Sequence, residues 1–349
     1  MLNLPPADIA RSCCIWTGMN GKQRAIKHCV CMVLAMCSIN ILMVLTGLSH
    51  SPNPTGLFEN SQYNMSKTFP TDVSMDKWSG FIDVLIPMIN SYCLLFSLLL
   101  TCKRNDYGPV CCNPEVHPPR FYLIWPIICV TDIGDLFLSD RCGILQAFWL
   151  KLLSPLLTFY MLFYSYINVQ HHRTLLHVTC SQSTRFLYYL AQNGLAVSAW
   201  WNLLDALVNL GIVLKYVAGL QDPVVSSLIL TLLFLAMLLW FILENFIWVQ
   251  YIHYNFTVYP ILILGLSSMF TRGYQAATMA PNTVYCGFLM LVATVMNCVF
   301  LFRLCCDSNH SIPVHTLPSP RPGECPSVCL ALDKHASEGK WNLHNNYSA

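Results

Sequence analysis

Eight long apolar runs divide this chain, and each is long enough to cross a lipid bilayer as a helix. A membrane-spanning helix needs about 20 consecutive apolar residues, because it rises about 1.5 Å per residue through a hydrocarbon core roughly 30 Å thick. The runs are continuous, which excludes the alternating strands of a transmembrane β-barrel. The predicted spans are Cys29 to Leu48, Gly80 to Cys102, Phe121 to Ser139, Gly143 to Ile167, Leu190 to Leu214, Val224 to Trp248, Tyr251 to Phe270 and Val284 to Leu304.

The composition agrees with this pattern. Of the 349 residues, 55% are hydrophobic and 10% charged, whereas an ordinary soluble domain has about 25% charged residues. So much apolar surface cannot be buried in one globule of this size. The predicted fold class is therefore all-α, a polytopic membrane helical bundle of about eight transmembrane spans in contact with the lipid bilayer. The net charge of +2 predicts no nucleic-acid partner.

Lysine and arginine residues orient the predicted spans. With eight alternating spans, 13 of the 19 Lys and Arg residues fall on the side of the amino terminus and 5 on the opposite side, while Lys151 lies within a span. The positive-inside rule then predicts two cytoplasmic termini, in the plasma membrane or an endomembrane. The predicted parts are a cytoplasmic basic N-terminal segment at 1–28, the helical bundle at 29–304 with an outer loop at 49–79, and a cytoplasmic tail at 305–349, whose proline-rich polar sequence predicts disorder.

Modification sites follow from this topology. The outer loop contains an N-glycosylation acceptor sequence at Asn64. Most of the 18 cysteines lie in spans or cytoplasmic segments, where thiols stay reduced. Cys142 and Cys286 fall near the outer ends of spans, so a disulfide between them is one expectation. Cysteines just inside the membrane are either S-palmitoylation sites or unreactive thiols; they are Cys102, Cys111, Cys112, Cys305 and Cys306.

Two aspartates stand in the third span, at Asp132 and Asp135. A charge at the bilayer centre costs roughly 2.5 kcal/mol or more, so such residues are rare and are usually paired. Lys151, in the fourth span, lies about 12 Å below the outer edge, and Asp132 lies about 11 Å below it on the neighbouring helix. These depths predict an ion pair between Asp132 and Lys151. Asp135 is expected nearer the surface, where water can hydrate it.

The fifth span carries a polar stripe. Ser198, Asn202, Asp205 and Asn209 are spaced by 4, 3 and 4 residues, which places them on one face of a helix. Asp205 lies about 14 Å below the outer edge, close to the depth of Lys151. Because the rest of this helix is apolar, we expect the stripe to face the bundle interior or a watery cavity rather than lipid. The candidate intramembrane polar site consists of Asp132, Lys151, Asp205, Asn202, Asn209 and Ser198.

No motif in the chain indicates an enzyme. His171, His172 and His177 include one spacing found in membrane di-iron enzymes, but such enzymes need several histidine clusters. A phosphate-binding glycine-rich loop, a nucleophile elbow and a His-Glu-x-x-His zinc motif are all missing from the sequence. We therefore expect no catalytic residues, no metal site and no cofactor.

Two functional classes remain for the polar site. In the first, its residues are interhelical contacts in a non-enzymatic structural, cell-junction or trafficking scaffold whose partners are other membrane proteins. In the second, they bind a small solute or a cation in a cation- or proton-coupled small-solute transporter. Signatures of discontinuous helices and of a dense polar pathway are missing from the sequence, which favours the first class.

Overall fold

The computed structural model describes residues 6–51, 56–58, 68–102, 104–105, 108–109, 116–172, 176, 182–249, 251–252, 255–274 and 280–309. For 6–22, 102–109, 182–187 and 307–309 it describes the backbone alone, and for the others it describes the side chains as well. The chain divides into two units, Met1–Leu304 and Cys305–Ala349. The first contains the helical bundle and the candidate site. The predicted disorder of the tail concerns residues that lie almost entirely outside the described ones, so it stays a prediction.

Helices account for nearly all of the described chain. In order they are α1 (Pro6–Ser49), α2 (Gly80–Cys102), α3 (Pro119–Asp140), α4 (Ile144–His171), α5 (Gln182–Tyr216), α6 (Asp222–Ile242), α7 (Val258–Gly273) and α8 (Pro281–Asn309). A 3₁₀ turn at Lys77–Ser79 leads into α2, and a π-helical turn at Leu243–Ile247 extends α6. Between α2 and α3, Arg104–Asn105 (β1) pairs antiparallel with Gly108–Pro109 (β2).

The predicted membrane helical bundle is confirmed. Within the described residues, seven helices are long and apolar enough to cross a membrane, and α2 has the bounds that the sequence predicts. The predicted span from Tyr251 to Phe270 differs. Its helix, α7, begins only at Val258 and has 16 residues, about 24 Å. Pro260 explains the late start, because proline is tolerated in the first turn of a helix but breaks its interior.

Although α7 is short, it reaches both ends of the bundle. Just before its start, Asn255 donates a hydrogen bond to the hydroxyl of Tyr166, near the end of α4. In its last turn, the Thr271 hydroxyl donates to Asp76, just before α2 (3.2 Å). We call these the Tyr166 end and the Asp76 end. With α7 included, the eight described helices run alternately between the two ends.

Helix α1 is longer than its predicted span. It begins at Pro6 and continues without interruption to Ser49. The predicted basic segment is therefore helical from residue 6 onward, and the apolar part of the helix covers Gln23–Ser49.

Helix α5 lies in the middle of the bundle. It packs against α2, α4, α6 and α7, and residues along it such as Ala196, Ala199 and Leu204 are fully buried. Outward faces of the surrounding helices expose large apolar side chains, among them Val130 and Phe246, as expected for surfaces in contact with lipid. The polar stripe of α5 consequently faces other helices.

A short turn joins α3 to α4. Residues 141–143 separate the two helices, and Cys142 adopts a positive φ of 59° there. The helices form an antiparallel hairpin and pack closely, since a Cβ on Gly134 would lie 2.7 Å from the Leu150 side chain. This hairpin places the aspartates of α3 beside the lysine of α4.

Candidate functional site

Lys151 contacts three aspartates. Its Nζ lies 2.5 Å from Asp205 Oδ2, 3.7 Å from Asp135 Oδ2 and 4.0 Å from Asp132 Oδ1. The structure thus brings together Asp132 and Lys151, as their matching depths predict, but the closest partner is Asp205 on α5. Helices α3, α4 and α5 each contribute to this cluster, which we call the Lys151 cluster (Asp132, Asp135, Lys151 and Asp205).

Asp135 is buried and paired, so the prediction that water hydrates it is wrong. It is 4% exposed, accepts a hydrogen bond from Ser139 (3.3 Å) and lies within ion-pair distance of Lys151. The reason is geometric. Residues three apart share a helix face, and the face of α3 that carries both aspartates is the one that packs on α4. A flexible lysine side chain reaches both depths.

Charge is unbalanced in the Lys151 cluster. Three carboxylates surround one ammonium group. The cluster therefore carries an excess of negative charge when all three carboxylates are ionised. Asp132 Oδ2 accepts a hydrogen bond from Ser154 (3.2 Å), but Oδ1 is buried without a hydrogen-bond partner among the described residues. Excess charge is costly in a weakly polarisable interior. The cluster is therefore suited to binding a proton.

The stripe on α5 extends this polar region. Asn202 donates to the Ser154 hydroxyl (3.0 Å), which in turn donates to Asp132. Deeper in the bundle, Ser198 accepts a hydrogen bond from Asn90 of α2 (2.6 Å). These side chains face neighbouring helices: the Asn202 bond joins α5 to the Ser154–Asp132 contact, and the Ser198 bond joins α5 to α2.

Asn209, the last member of the stripe, is placed differently. Its amide donates to the main-chain carbonyl of Asp205 within the same helix (3.0 Å). It lines a cavity at the Asp76 end, and it meets the Lys151 cluster at that main-chain carbonyl rather than at a carboxylate or the ammonium group.

Two adjacent cavities lead to the cluster. The larger, about 640 Å³, lies at the Asp76 end and includes the exposed Lys77 in its wall. The smaller, about 100 Å³, is lined by all four residues of the Lys151 cluster. His50, Asp83 and Asp205 line both cavities. Among the cluster side chains, Asp205 is the most exposed, at 32% compared with 12% for Lys151, so Asp205 is the one accessible from the Asp76 end.

A histidine–aspartate pair separates the two cavities. His50 Nε2 lies 3.4 Å from Asp83 Oδ2, and His50 Nδ1 donates to the Thr46 carbonyl (2.9 Å). Trp201 donates its indole N–H to the other Asp83 oxygen (2.6 Å). Burial lowers the pKa of His50, but the hydrogen bond and charge of Asp83 and the Thr46 carbonyl raise it further, so the pKa lies above its usual value.

Sequence reasoning did not identify His50. It lies immediately after the first span, where a histidine is not unusual, and only tertiary packing brings it to Asp83. A close approach enables this contact, because a Cβ on Gly80 would lie 2.5 Å from the His50 ring. Asp83 itself carries a signal, since it is an acidic residue within a span.

The predicted disulfide is not formed. Cys142 and Cys286 are both free cysteines; Cys142 is exposed, and Cys286 is buried with its thiol donating to the Leu266 carbonyl (3.2 Å). The prediction of a disulfide between them is therefore wrong. It rests on their similar depth in the bundle, and similar depth does not determine which helices lie side by side.

The other predicted sites are only partly covered by the structure. Cys305 and Cys306 are exposed free cysteines, as palmitoylation requires, and the modification itself stays a prediction. Asn64, Cys111, Cys112, His177 and the side chain of Cys102 lie outside the described residues. Within the described part of the chain, no group of three or more His, Cys, Asp or Glu side chains has metal-binding geometry.

In comparisons with known proteins, no protein-family model, curated protein or solved structure matches this chain.

Proposed function

We propose that this multi-pass membrane protein is a proton-coupled transporter of a small solute, in which Asp205 exchanges its contact with Lys151 for a proton. The observation that carries the proposal is the convergence of three aspartates on one lysine beside a cavity that opens at the Asp76 end. No step of this function needs a catalytic residue or a cofactor.

The arrangement around Lys151 suits an exchange. When a proton reaches Asp205, its carboxyl group becomes neutral and loses its attraction for the ammonium group. Lys151 then retains Asp132 and Asp135, whose oxygens are already 4.0 and 3.7 Å away. The lysine charge therefore stays paired throughout, which avoids the several kcal/mol that an unpaired buried charge costs.

Access to Asp205 also supports the proposal. Asp205 lines both the large cavity and the inner one, whereas Lys151 and Asp132 line only the inner one. A proton arriving from the Asp76 end thus meets Asp205 before the rest of the cluster. His50 and Asp83 stand at the same boundary, so their protonation can regulate that access.

The scaffold alternative explains the contacts less well. As interhelical contacts, the hydrogen bonds around Asn202 and Ser198 would contribute on the order of 0.6 kcal/mol each. One acid would suffice to pair Lys151, however, and the two additional buried aspartates beside it add uncompensated charge, which opposes that role. A scaffold with other membrane proteins as partners remains the outcome that a negative transport experiment would support.

Proton flux into vesicles tests the proposal. The purified protein is reconstituted with a pH-sensitive dye inside, and a membrane potential drives protons inward. We expect flux with the wild-type protein and its loss in Asp205→Asn. The matched control is Asp222→Asn, which removes the partner of Lys215 (2.6 Å) outside the Lys151 cluster and should leave flux unchanged. Wild-type flux no greater than that of protein-free vesicles would contradict transport.

A further inference from the structure

A second buried acid lies at the opposite end of the bundle. Glu244 is fully buried and occupies the π-helical turn that follows α6. Such turns are rare and occur frequently at functional sites, because one extra residue per turn disrupts the regular hydrogen bonds of the helix. The Lys151 cluster does not involve Glu244.

Only one oxygen of this carboxyl group is satisfied. The Tyr259 hydroxyl donates to Glu244 Oε2 (2.5 Å), whereas Oε1 is buried without a hydrogen-bond partner among the described residues. Arg303 lies beside it but donates to the main-chain carbonyl of Glu244 (3.3 Å) and to the Asn245 side chain (2.9 Å). Arg303 is thus engaged by other acceptors.

We infer that Glu244 is a second proton-binding site, which takes up and releases a proton at the Tyr166 end. A fully buried carboxylate without an ion-pair partner is strongly disfavoured, and a proton removes its charge. The Tyr259 hydroxyl can donate to Oε2 in both states, so the site keeps one bond while it exchanges a proton. Within the described part of the chain, Tyr166 and Arg303 are the other titratable or charged groups that interact with this carboxyl.

An aromatic layer separates this acid from the Lys151 cluster. Trp200 and Trp240 meet edge to face with ring centroids 5.6 Å apart, and Phe159 and Phe163 pack against them at 5.7 and 6.2 Å. Trp200 lies five residues from Asp205 toward the Tyr166 end. The indole N–H groups of both tryptophans lack hydrogen-bond partners among the described residues, so the layer offers a proton no hydrogen-bonded path.

Glu244 is coupled to that layer through its own helix. Trp240 precedes it by four residues, which places the two side chains on neighbouring positions of one helix face. Proton uptake by Glu244 can therefore shift Trp240 and open the layer. This coupling rests on the proposed transport function, with Asp205 and Glu244 as the sites on the two sides of a closed layer.

Infrared spectroscopy of the reconstituted protein tests the site independently of transport. We expect the difference spectrum between the wild type and Glu244→Gln to contain the carbonyl stretch of a protonated carboxyl group that changes with pH, a signal to which the carboxyl groups of the Lys151 cluster do not contribute. Glutamine has the same shape and still accepts from Tyr259, so the variant should fold. The control Asp72→Asn, which removes an exposed carboxylate, should keep the band. A difference spectrum between wild type and folded Glu244→Gln that contains no such band would overturn the inference.

Two further measurements keep the outcomes distinct. Proton flux should fall in Glu244→Gln although the Lys151 cluster is intact. A titrating band together with no wild-type flux would preserve the proton site and defeat the transport proposal, whereas normal flux in Glu244→Gln would defeat the role of the site in transport.

If Glu244→Gln does not fold, Tyr259→Phe serves instead, because loss of the donated bond should shift the same band to higher frequency. An unshifted band would contradict the assignment.

Discussion

Lys151 on α4 and Asp205 on α5 form the closest contact in the buried charged cluster, with Nζ and Oδ2 2.5 Å apart. The two aspartates of α3 lie farther from the same ammonium group. Lys151 is therefore shared by three acids, and the consequences of removing it differ from those of removing any one acid.

Replacing Lys151 should be far more damaging than replacing Asp205. Lys151→Met leaves the buried carboxylates of Asp132 and Asp135, and the partly exposed one of Asp205, without their cation, and an orphaned buried charge typically costs about 3–5 kcal/mol. Asp205→Ala leaves the lysine with Asp132 and Asp135, so we expect a loss of about 1 kcal/mol. Thermal unfolding in detergent should order the two variants accordingly.

The matched control for this comparison is Lys215→Met. Lys215 also pairs with one aspartate, but at the bundle end, where its side chain is 23% exposed, and exposed pairs contribute about 1 kcal/mol or less. Equal destabilisation by Lys151→Met and Lys215→Met would contradict the shared buried cluster.

The His50–Asp83 pair should make stability depend on pH. Because the pKa of His50 is raised in the folded protein, protonated His50 stabilises the fold at pH values below its unfolded pKa. This contribution is lost as the pH rises through the folded pKa. His50→Gln should flatten the fall in melting temperature on the alkaline side of 6.5, and an unchanged profile would contradict the pairing.

A glycine substitution should reproduce the effect of losing His50. In Gly80→Ala the new Cβ would lie 2.5 Å from the His50 ring, so the ring must move away from Asp83. We expect the flattened pH profile of His50→Gln. Gly47→Ala is the control, since a Cβ there meets nothing within 4 Å. Gly47→Ala should keep the wild-type profile and gain up to about 1 kcal/mol from helix propensity.

His117 should produce the opposite pH dependence. Burial, together with the charge of His28, lowers its pKa from 6.5 to about 3, and it is hydrogen-bonded to Ser165 (2.8 Å). The unfolded chain binds this proton more readily, so stability is lost as the pH falls below 6.5, by about 1.4 kcal/mol per pH unit. Acid unfolding of His117→Gln should show a shallower slope, while His171→Gln, at an exposed position, should match the wild type. Parallel slopes for all three proteins would contradict the burial of a neutral His117.

Much of this architecture can be predicted from the sequence, because hydrophobic length and helical periodicity are local properties. The bounds of α2, the polar stripe on α5 and the matching depths of Asp132 and Lys151 all follow from residue spacing. The depth of a residue along its helix can be counted from the sequence, but the rotation of that helix about its axis and its lateral position among the other helices cannot.

The errors have that common origin. Residue spacing estimates only the depth of Asp135 and so places it in water, whereas it is buried, and Cys142 and Cys286 are predicted near the same end of the bundle but form no disulfide. The pairing of His50 with Asp83 joins a residue that follows α1 to a residue of α2. Such contacts depend on tertiary packing, which single-sequence periodicity does not report.

The predicted topology can be checked at Asn64, which lies outside the described residues. If the loop at 49–79 faces the lumen or the exterior, the wild type should carry a glycan at this acceptor sequence. A glycosidase-sensitive mobility shift should therefore disappear in Asn64→Gln. A shift that persists in this variant would exclude Asn64 as the sole acceptor.

The exchange at Asp205 is tested most directly by carbodiimide labelling, because an apolar carbodiimide reacts with buried carboxyl groups only when they carry a proton. Peptide mass spectrometry of the reconstituted protein should find label on Asp205 that increases as the medium is made mildly acidic. Acid added on the Asp76 side of the bundle should be more effective than acid on the Tyr166 side. We predict this sided, pH-dependent labelling, and we predict that proton flux falls as the labelled fraction of Asp205 rises. Asp205 that stays unlabelled at every pH, while the protein still conducts protons, would contradict it.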